Sequence, residues 1–538
     1  MFTMLSVHIF AQITPYITCG DKSYLLQEKS HINYTPANLY YEATITVDPD
    51  ATCQTMDGFG GAMTEGSAES ICALSLAKQD ELLNELFNTS TGLGISVLRI
   101  TIGASDLSSS AYSYNETSDD VNMNNFSLAG PDLTYLIPVL KKIVAINPNI
   151  KFLATPWSAP RWMKTVNNWK GGYLKSSAYT AYANYFVKYF EAMQGQGINI
   201  WAMTPQNEPE NTGNYPSMGM TQIQQLNFIN NYLGPTMNKA GYGNIKIVAF
   251  DHNCDNTTYP IFVCKNSSYV DGAAFHLYAG DISAMTAVKE ATKKNIYFTE
   301  QYTAVEGDFQ QDLGWHMYNV IIGAANNWAK VMLEWNLANN SAFGPNASGS
   351  STNVCLGSIT VNKDNTYTRN VSYYIIGQIS KFVKPDAVRL GTTVNGTSVV
   401  ATAFRNVDNS IVVLAYNGNS SGRTLKVMIG SSSFYYRVSG GSAISFVCNS
   451  TTQSCLSTST TSGLLITSNL TQSEIALKYP RIRSGRVYVI SSDGKEILEQ
   501  KLVDSDSTNI CTESLAAGIY LISIRSDNGI LNSRFVKT

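Results

Sequence analysis

Two segments carry residue types that could do chemistry. Trp201-Ala-Met-Thr-Pro-Gln-Asn-Glu-Pro209 and Asn295-Ile-Tyr-Phe-Thr-Glu-Gln301 each read as a buried strand running straight into a glutamate, Glu208 in one and Glu300 in the other. A carboxylate at the rim of an apolar core costs free energy unless something uses it. Two of them, 92 residues apart in one α/β pattern, point to a pair of carboxyl groups facing each other across a substrate. Such a pair can protonate a leaving oxygen and capture an oxocarbenium-like carbon, the chemistry of glycoside hydrolysis. The plainer alternative for either glutamate is a salt-bridged carboxylate at a strand end.

Carboxyl groups on distant segments meet only if the strands are held side by side. Between Met56 and Leu337 eight short runs recur, each followed by a stretch able to form a helix: Met56–Thr64, Val97–Gly103, Lys151–Ser158, Ile200–Asn207, Ile245–Asp251, Gly272–Tyr278, Asn295–Gln301 and Lys330–Asn336. Their brevity and their β-branched and aromatic residues favour buried parallel strands. Helical patterns lie between them, as in Ala178–Gln194 and Met220–Ala240. Eight such units predict an α/β fold built on a closed (β/α)8 TIM barrel, residues 56–386. Chemistry in that fold sits at the C-terminal strand ends. Those ends carry Arg99 and Asp106 (second strand), Trp157 (third), Asn207 and Glu208 (fourth), His276 and Tyr278 (sixth), Glu300 (seventh), and Trp335 and Asn336 (eighth). Glu65 and Glu334 fall near the same rim and read as structural.

Beyond the barrel the texture changes. Residues 387–448 alternate apolar and polar in short runs broken by Asn-Gly and Ser-Gly turns, the pattern of an antiparallel β-sandwich. Residues 12–55 are expected to add to it, through Tyr40–Val47. A Ser/Thr linker (449–464) leads to a small C-terminal β domain (465–538). Residues 1–11 resemble the apolar part of a signal peptide.

Composition narrows the function. Net charge is −3 with no basic block, and only 14% of residues are charged, which excludes nucleic acid as a partner. Asn, Ser, Thr, Gly and 31 Tyr suit a secreted protein that handles uncharged polymers. No apolar run is long enough for a transmembrane helix. The nine Cys lack C-x-x-C spacing, so no metal site is expected. Cys254 with Cys264, and Cys448 with Cys455, are spaced to close short loops in an oxidising compartment.

Four ordered motifs carry a family resemblance: Met56-Asp-Gly-Phe-Gly-Gly-Ala-Met-Thr-Glu65, Thr155-Pro-Trp-Ser-Ala-Pro-Arg-Trp-Met-Lys-Thr165, Thr204-Pro-Gln-Asn-Glu-Pro209 and Tyr373-Tyr-Ile-Ile-Gly-Gln-Ile-Ser-Lys-Phe382. Residues 40–448 resemble glycoside hydrolase family 30, which includes glucosylceramidases and β-1,6-glucanases. Glu334-Trp-Asn-Leu-Ala-Asn-Asn-Ser-Ala-Phe-Gly-Pro345 is more similar to the glucanase branch, although Ser348-Gly-Ser-Ser stands where that branch usually carries a Gly-Gly-Cys stretch. The tail, through Val487–Lys495, Gly518–Ile524 and Arg534–Lys537, is similar to the sorting domain of Bacteroidetes secreted enzymes.

The resemblance implies a retaining endo-β-1,6-glucanase acting by double displacement. Glu208 would be the acid/base, with a raised pKa, and Glu300 the ionised nucleophile held by donors such as Arg99. Their carboxyl groups should then lie about 5–5.5 Å apart. Asn207 would hydrogen-bond the sugar 2-OH, Trp157 and Trp335 would stack on the ring, and Asp106, His276, Tyr278 and Asn336 would complete the subsite. No cofactor is implied. A β-linked glucan or glucoside is the expected substrate, with export machinery as the partner of the C-terminal domain. The expected molecule is a monomer, secreted or at the cell surface after export across a bacterial outer membrane. The alternatives are an exo-acting β-glucosidase or glucosylceramidase, a xylanase, and a glycan-binding protein that has lost its chemistry.

Overall fold

Each of the eight anticipated runs forms a strand in the computed structural model, which describes residues 10–347, 353–450, 465–467, 474–491, 495–516, 518–526 and 529–537. They are β1 (Gly58–Met63), β2 (Val97–Thr101), β3 (Lys151–Thr155), β4 (Ile200–Met203), β5 (Lys246–Cys254), β6 (Val270–Gly280), β7 (Asn295–Glu300) and β8 (Ala329–Asn336). All pair in parallel, and β8 closes on β1 to complete a barrel. One face of each strand turns inward, where Val97, Leu153, Ala202, Val248, Ala274, Tyr297 and Val331 form the interior layer. The small residues of β1 let β2 approach. A Cβ added at Gly60 would sit 2.1 Å from the Val97 carbonyl oxygen.

The outer face of the strands is covered by amphipathic helices. The helix Tyr179–Gly195 buries Tyr182, Tyr185, Phe186, Tyr189 and Phe190, each contributing about 2 kcal/mol relative to exposure. The helix expected over Met220–Ala240 starts behind a Thr221–Gln224 capping box. It then widens into a π turn at Ile229–Leu233 before resuming as Gly234–Lys239. Pro235 in its last segment has no N–H to donate, and the wider turn absorbs that loss.

Nine strands form a second sheet, in the order Gln27–Glu28, Phe10–Cys19, Ser442–Ser450, Ile411–Asn417, Val399–Arg405, Val388–Asn395, Ala43–Thr55, Arg423–Ile429 and Ser432–Val438. Ile13 and Ile17 near one edge share an apolar cluster with Val427 and Phe434 near the other. The sheet therefore folds over on itself as a sandwich. Its strand Phe10–Cys19 includes the last two residues of the expected leader; residues 1–9, with the rest of that leader, lie outside the described residues. Most of the expected Ser/Thr linker and the Ser348 segment lie outside them too.

The described residues between 465 and 537 belong to a separate compact unit. Within it, Glu474–Ser491 pairs with Leu465–Thr467, Glu496–Cys511 and Gly518–Ser526, and Gly529–Lys537 completes the sheet. That sheet has its own core, including Val487, Val489, Ile522 and Ile524. Among the described residues the expected Cys254–Cys264 disulfide is absent. Both thiols are free and buried in the barrel core, one ending β5 and one on the helix Thr258–Asn266. Cys448 is likewise free, and Cys455 lies outside the described residues. No helix among the described residues is long and apolar enough to cross a membrane.

Candidate active site

The two glutamates reach the same point from different backbones. Glu300 is the last residue of β7, where the register against β6 shifts after Phe298, so that Thr299 and Glu300 both reach the site. Glu208 lies five residues past β4 with a left-handed φ of +44°. That conformation is unfavourable for a residue with a Cβ, and two backbone bonds hold it. Asn207 N donates to Pro156 O at 2.8 Å and Glu208 N to Asp251 O at 2.9 Å. Glu208, His276 and Glu300 then offer ligand atoms that all lie within 4.8 Å of one another.

Around them is a buried network with Arg99 and Asp251 at its centre. Arg99 is fully buried; it donates to Glu300 Oε2, to Asn207 Oδ1 at 2.6 Å and to Asp251 Oδ2 at 2.8 Å. Asp251 also accepts from Thr204 Oγ1 (2.8 Å) and Thr299 Oγ1 (2.7 Å), and its Oδ1 lies 3.1 Å from His276 Nε2. On its other side His276 Nδ1 is 3.1 Å from Glu208 Oε1 and 3.8 Å from Glu300 Oε1. Tyr278 donates to Glu300 Oε1 at 2.9 Å. Asn211 and Asn214 donate to Glu208 Oε2 at 2.8 and 3.3 Å.

Electrostatics follow from this geometry. Burial works against a charged His276, but Glu300, Asp251 and Glu208 outweigh it and push its pKa up to about 9. Burial likewise raises Glu208, yet the hydrogen bond and charge of His276 win and leave its carboxyl below the ordinary value. For Glu300 burial wins over the His276 and Arg99 charges, and its carboxyl is raised. Asp106 is pushed to about 7 by burial and by the charges of Glu300 and Glu208. Asp251, despite burial, is held far below the usual range by Arg99 and His276. The expectation of a raised Glu208 is therefore overturned: its carboxyl lies below the ordinary value. The residues named from sequence sit on the right strands, but the imidazolium that faces Glu208 comes from a contact across the barrel.

Arg99, Asn207, His276 and Tyr278 all touch this network. Trp157 and Trp335 pack against each other at a 30° tilt, ring centroids 5.2 Å apart, and against the Arg99 guanidinium, 4.7 and 5.6 Å from their rings. Both are nearly buried, so they brace Arg99. Among the described residues, the buried Asp106 Oδ1 and Asn336 Oδ1 have no hydrogen-bond partner. Glu65 accepts from Ser109 N (3.0 Å), and Glu334 lies 2.8 Å from His316 Nδ1, away from the glutamate pair. A divalent ion could use the Glu208–His276–Glu300 spacing. There it would compete with the His276 proton and with the Arg99 guanidinium.

Asp251, Thr204, Thr299, Asn211 and Asn214 escaped the reading from sequence. Asp251 ends the run predicted for the fifth strand, so its position was the available signal. Its side chain faces the site because Phe250 and Asp251 both take left-handed φ values, +73° and +67°, where the β5–β6 register shifts.

Comparisons with known proteins agree with this geometry. Residues 56–383 match the glycosyl hydrolase family 30 TIM-barrel domain, residues 386–446 its β-sandwich domain, and residues 469–538 a secretion system C-terminal sorting domain. The chain is 34% identical to the endo-1,6-β-D-glucanase neg1 of Aspergillus fumigatus, across 69% of this chain and 81% of that one. It is 28% identical to the lysosomal acid glucosylceramidase of Mus musculus, across 74% of this chain and 82% of that one. The solved structure of the endo-β1,6-glucanase BT3312 superposes with a TM-score of 0.76 at 35% identity, covering 81% of this chain and 99% of that one.

Proposed function

The chain belongs to glycoside hydrolase family 30, and from that premise we propose that it is a retaining endo-β-1,6-glucanase in which Glu300 is the nucleophile and Glu208 the acid/base. The observation that carries the reading is the approach of Glu208 and Glu300 oxygens to within 4.8 Å. This is near the roughly 5–5.5 Å of retaining enzymes and short of the roughly 6.5–9.5 Å that admits water in inverting ones. The similarity to endo-1,6-β-glucanases in sequence and in structure supports the substrate.

The first step needs Glu300 ionised and Glu208 protonated. Arg99 and Tyr278 both donate to Glu300 and favour its anion. Four carboxyl groups (Asp106, Glu208, Asp251, Glu300) share two cations, Arg99 and His276. The cluster therefore retains a proton near neutral pH. His276 Nδ1 faces both glutamates, giving that proton a path to Glu208 as the sugar fills the site. Attack by Glu300 forms the glycosyl ester and removes its negative charge. Glu208 is then an anion beside an imidazolium, the state required of the base that activates water. The lowered Glu208 pKa thus suits the second half-reaction, and the first needs a proton delivered through His276.

The sorting domain marks the chain for export or display at the cell surface; we read the destination as the exterior of a bacterial outer membrane. Incubation with a linear β-1,6-glucan tests the reading. A ladder of gluco-oligosaccharides is expected. Glucose as the sole product would replace endo with exo action. Cleavage of aryl β-glucosides without attack on the glucan would shift the assignment to a glucosidase or glucosylceramidase. Inertness toward both, with binding retained, would make it a glycan-binding protein.

A further inference from the structure

Lys164 belongs to the Thr155–Thr165 motif but does not touch the glutamates. Its side chain is only 1% exposed. The ammonium Nζ lies 2.9 Å from Ser158 Oγ, 2.8 Å from Asn168 O, 2.9 Å from Trp169 O and 2.8 Å from Ser217 O. An ammonium has three N–H donors, so these four oxygens enclose it, and no carboxylate is among them. Glu116 acts on it only at a distance and is itself paired with Arg161 at 2.9 Å. Burial draws the Lys164 pKa down to about 7, and the surrounding oxygens favour the charged form against that pull. A buried ammonium without a counter-ion is costly to keep. Its acceptors say what it is kept for.

Ser158, Asn168 and Trp169 are on the loop after β3, and Ser217 is on the loop after β4, which begins with the residues leading to Glu208. Further bonds cross the same seam. Ser217 N donates to Trp169 O (3.0 Å), Gly219 N to Gly172 O (2.8 Å) and Gly171 N to Ser217 Oγ (3.0 Å). From the seam a path runs to the carboxyl group. Ser217 Oγ donates to Asn214 O at 2.6 Å, and Asn214 Nδ2 donates to Glu208 Oε2 at 3.3 Å.

We propose that Lys164 is a positioning residue for proton donation: its ammonium locks the two loops together and, through Ser217 and Asn214, orients Glu208 toward the leaving group. The inference rests on the acid/base role of Glu208. It makes a demand that a purely structural lysine would not. A leaving group that needs protonation should suffer when the lock is lost, while one that departs unaided should not.

The test compares kcat/KM, which reports glycosylation alone, for dinitrophenyl and phenyl β-glucosides in the full-length protein and in K164M, K164R and N214A. Expected for K164M is a loss of about 10–100-fold with the phenyl glucoside, as for a displacement of about 1 Å, and under about threefold with the dinitrophenyl glucoside. N214A keeps the ammonium and cuts the last link, so the same split is expected there even if K164M does not fold. K164R should recover part of the loss, since it restores charge but not the compact geometry. Equal losses on both substrates in N214A and in any folded K164M, or no loss, would overturn the lock. A wild-type protein that cleaves neither glucoside and also leaves the linear β-1,6-glucan intact would instead overturn the glycosidase reading.

Discussion

At the N-terminal end of the barrel two carboxylates meet three lysines; at the C-terminal end four meet Arg99 and the histidines His276 and His252, of which burial pushes His252 toward its neutral form. Below, Asp57 lies 3.2 Å from Lys151 and 3.2 Å from Lys330, and Asp271 is 2.9 Å from Lys246. The Trp201 ring lies between Lys151 and Lys246, 5.2 and 5.6 Å from their ammonium groups, and Tyr297 donates to Asp271. Burial raises Asp271, but Tyr297, Asn295 and Lys246 outweigh it and hold its carboxyl below the ordinary value. Above, carboxylates outnumber cations, Asp106 and Glu300 are raised, and Asp106 Oδ1 has no partner among the described residues. One end gives each carboxylate at least one lysine partner. The other keeps more carboxyl groups than it can neutralise, and so keeps a proton, which is what an acid/base site needs.

The sharpest way to break the contrast is to alter the upper glutamates. E300Q should abolish turnover by several orders of magnitude, measured on glucan and on aryl glucosides, while thermal stability holds or rises, because a raised carboxyl is removed. E208Q should cost about 10²–10⁴-fold on glucan, and much less in kcat/KM on dinitrophenyl glucoside. A stability loss in either variant comparable to its effect on activity would make the upper end structural.

R99M should lower both activity and stability, because it leaves Asp251 and Glu300 buried without their guanidinium. Breaking such a pair costs about 3–5 kcal/mol, measurable by denaturant unfolding. At the lower end K330M should cost under about 1 kcal/mol and leave kcat unchanged, since Lys330 and Asp57 are partly solvated. Equal penalties at the two ends would contradict the comparison.

The smallest expected effect is on pH dependence. His276 is raised from 6.5 to about 9, so its stabilising contribution is complete below about 6.5 and lost as pH rises through about 9. A melting-temperature profile should fall over that interval, and H276N should flatten the fall. If the variant and the wild type fall in parallel, His276 is not the charged group of the cluster.

The motifs and strand pattern determined a good deal unaided. Eight short apolar runs separated by helical stretches and ending in polar and aromatic residues fit a closed parallel sheet, and Glu208 and Glu300 at two such ends were legible as a facing pair. These are properties of short stretches of chain, set by side-chain period and local composition. Tertiary structure decided what depends on distant partners. Asp251 became the hub because two left-handed residues turn it across the barrel, and Trp157 and Trp335 became braces because Arg99 lies against both. Lys164 could be buried because carbonyls from two loops replace its water. The balance of protons changed for the same reason: a carboxyl's pKa is set by burial and by charges brought near by folding, so the His276 contact that lowers Glu208 exists only once the strands have closed.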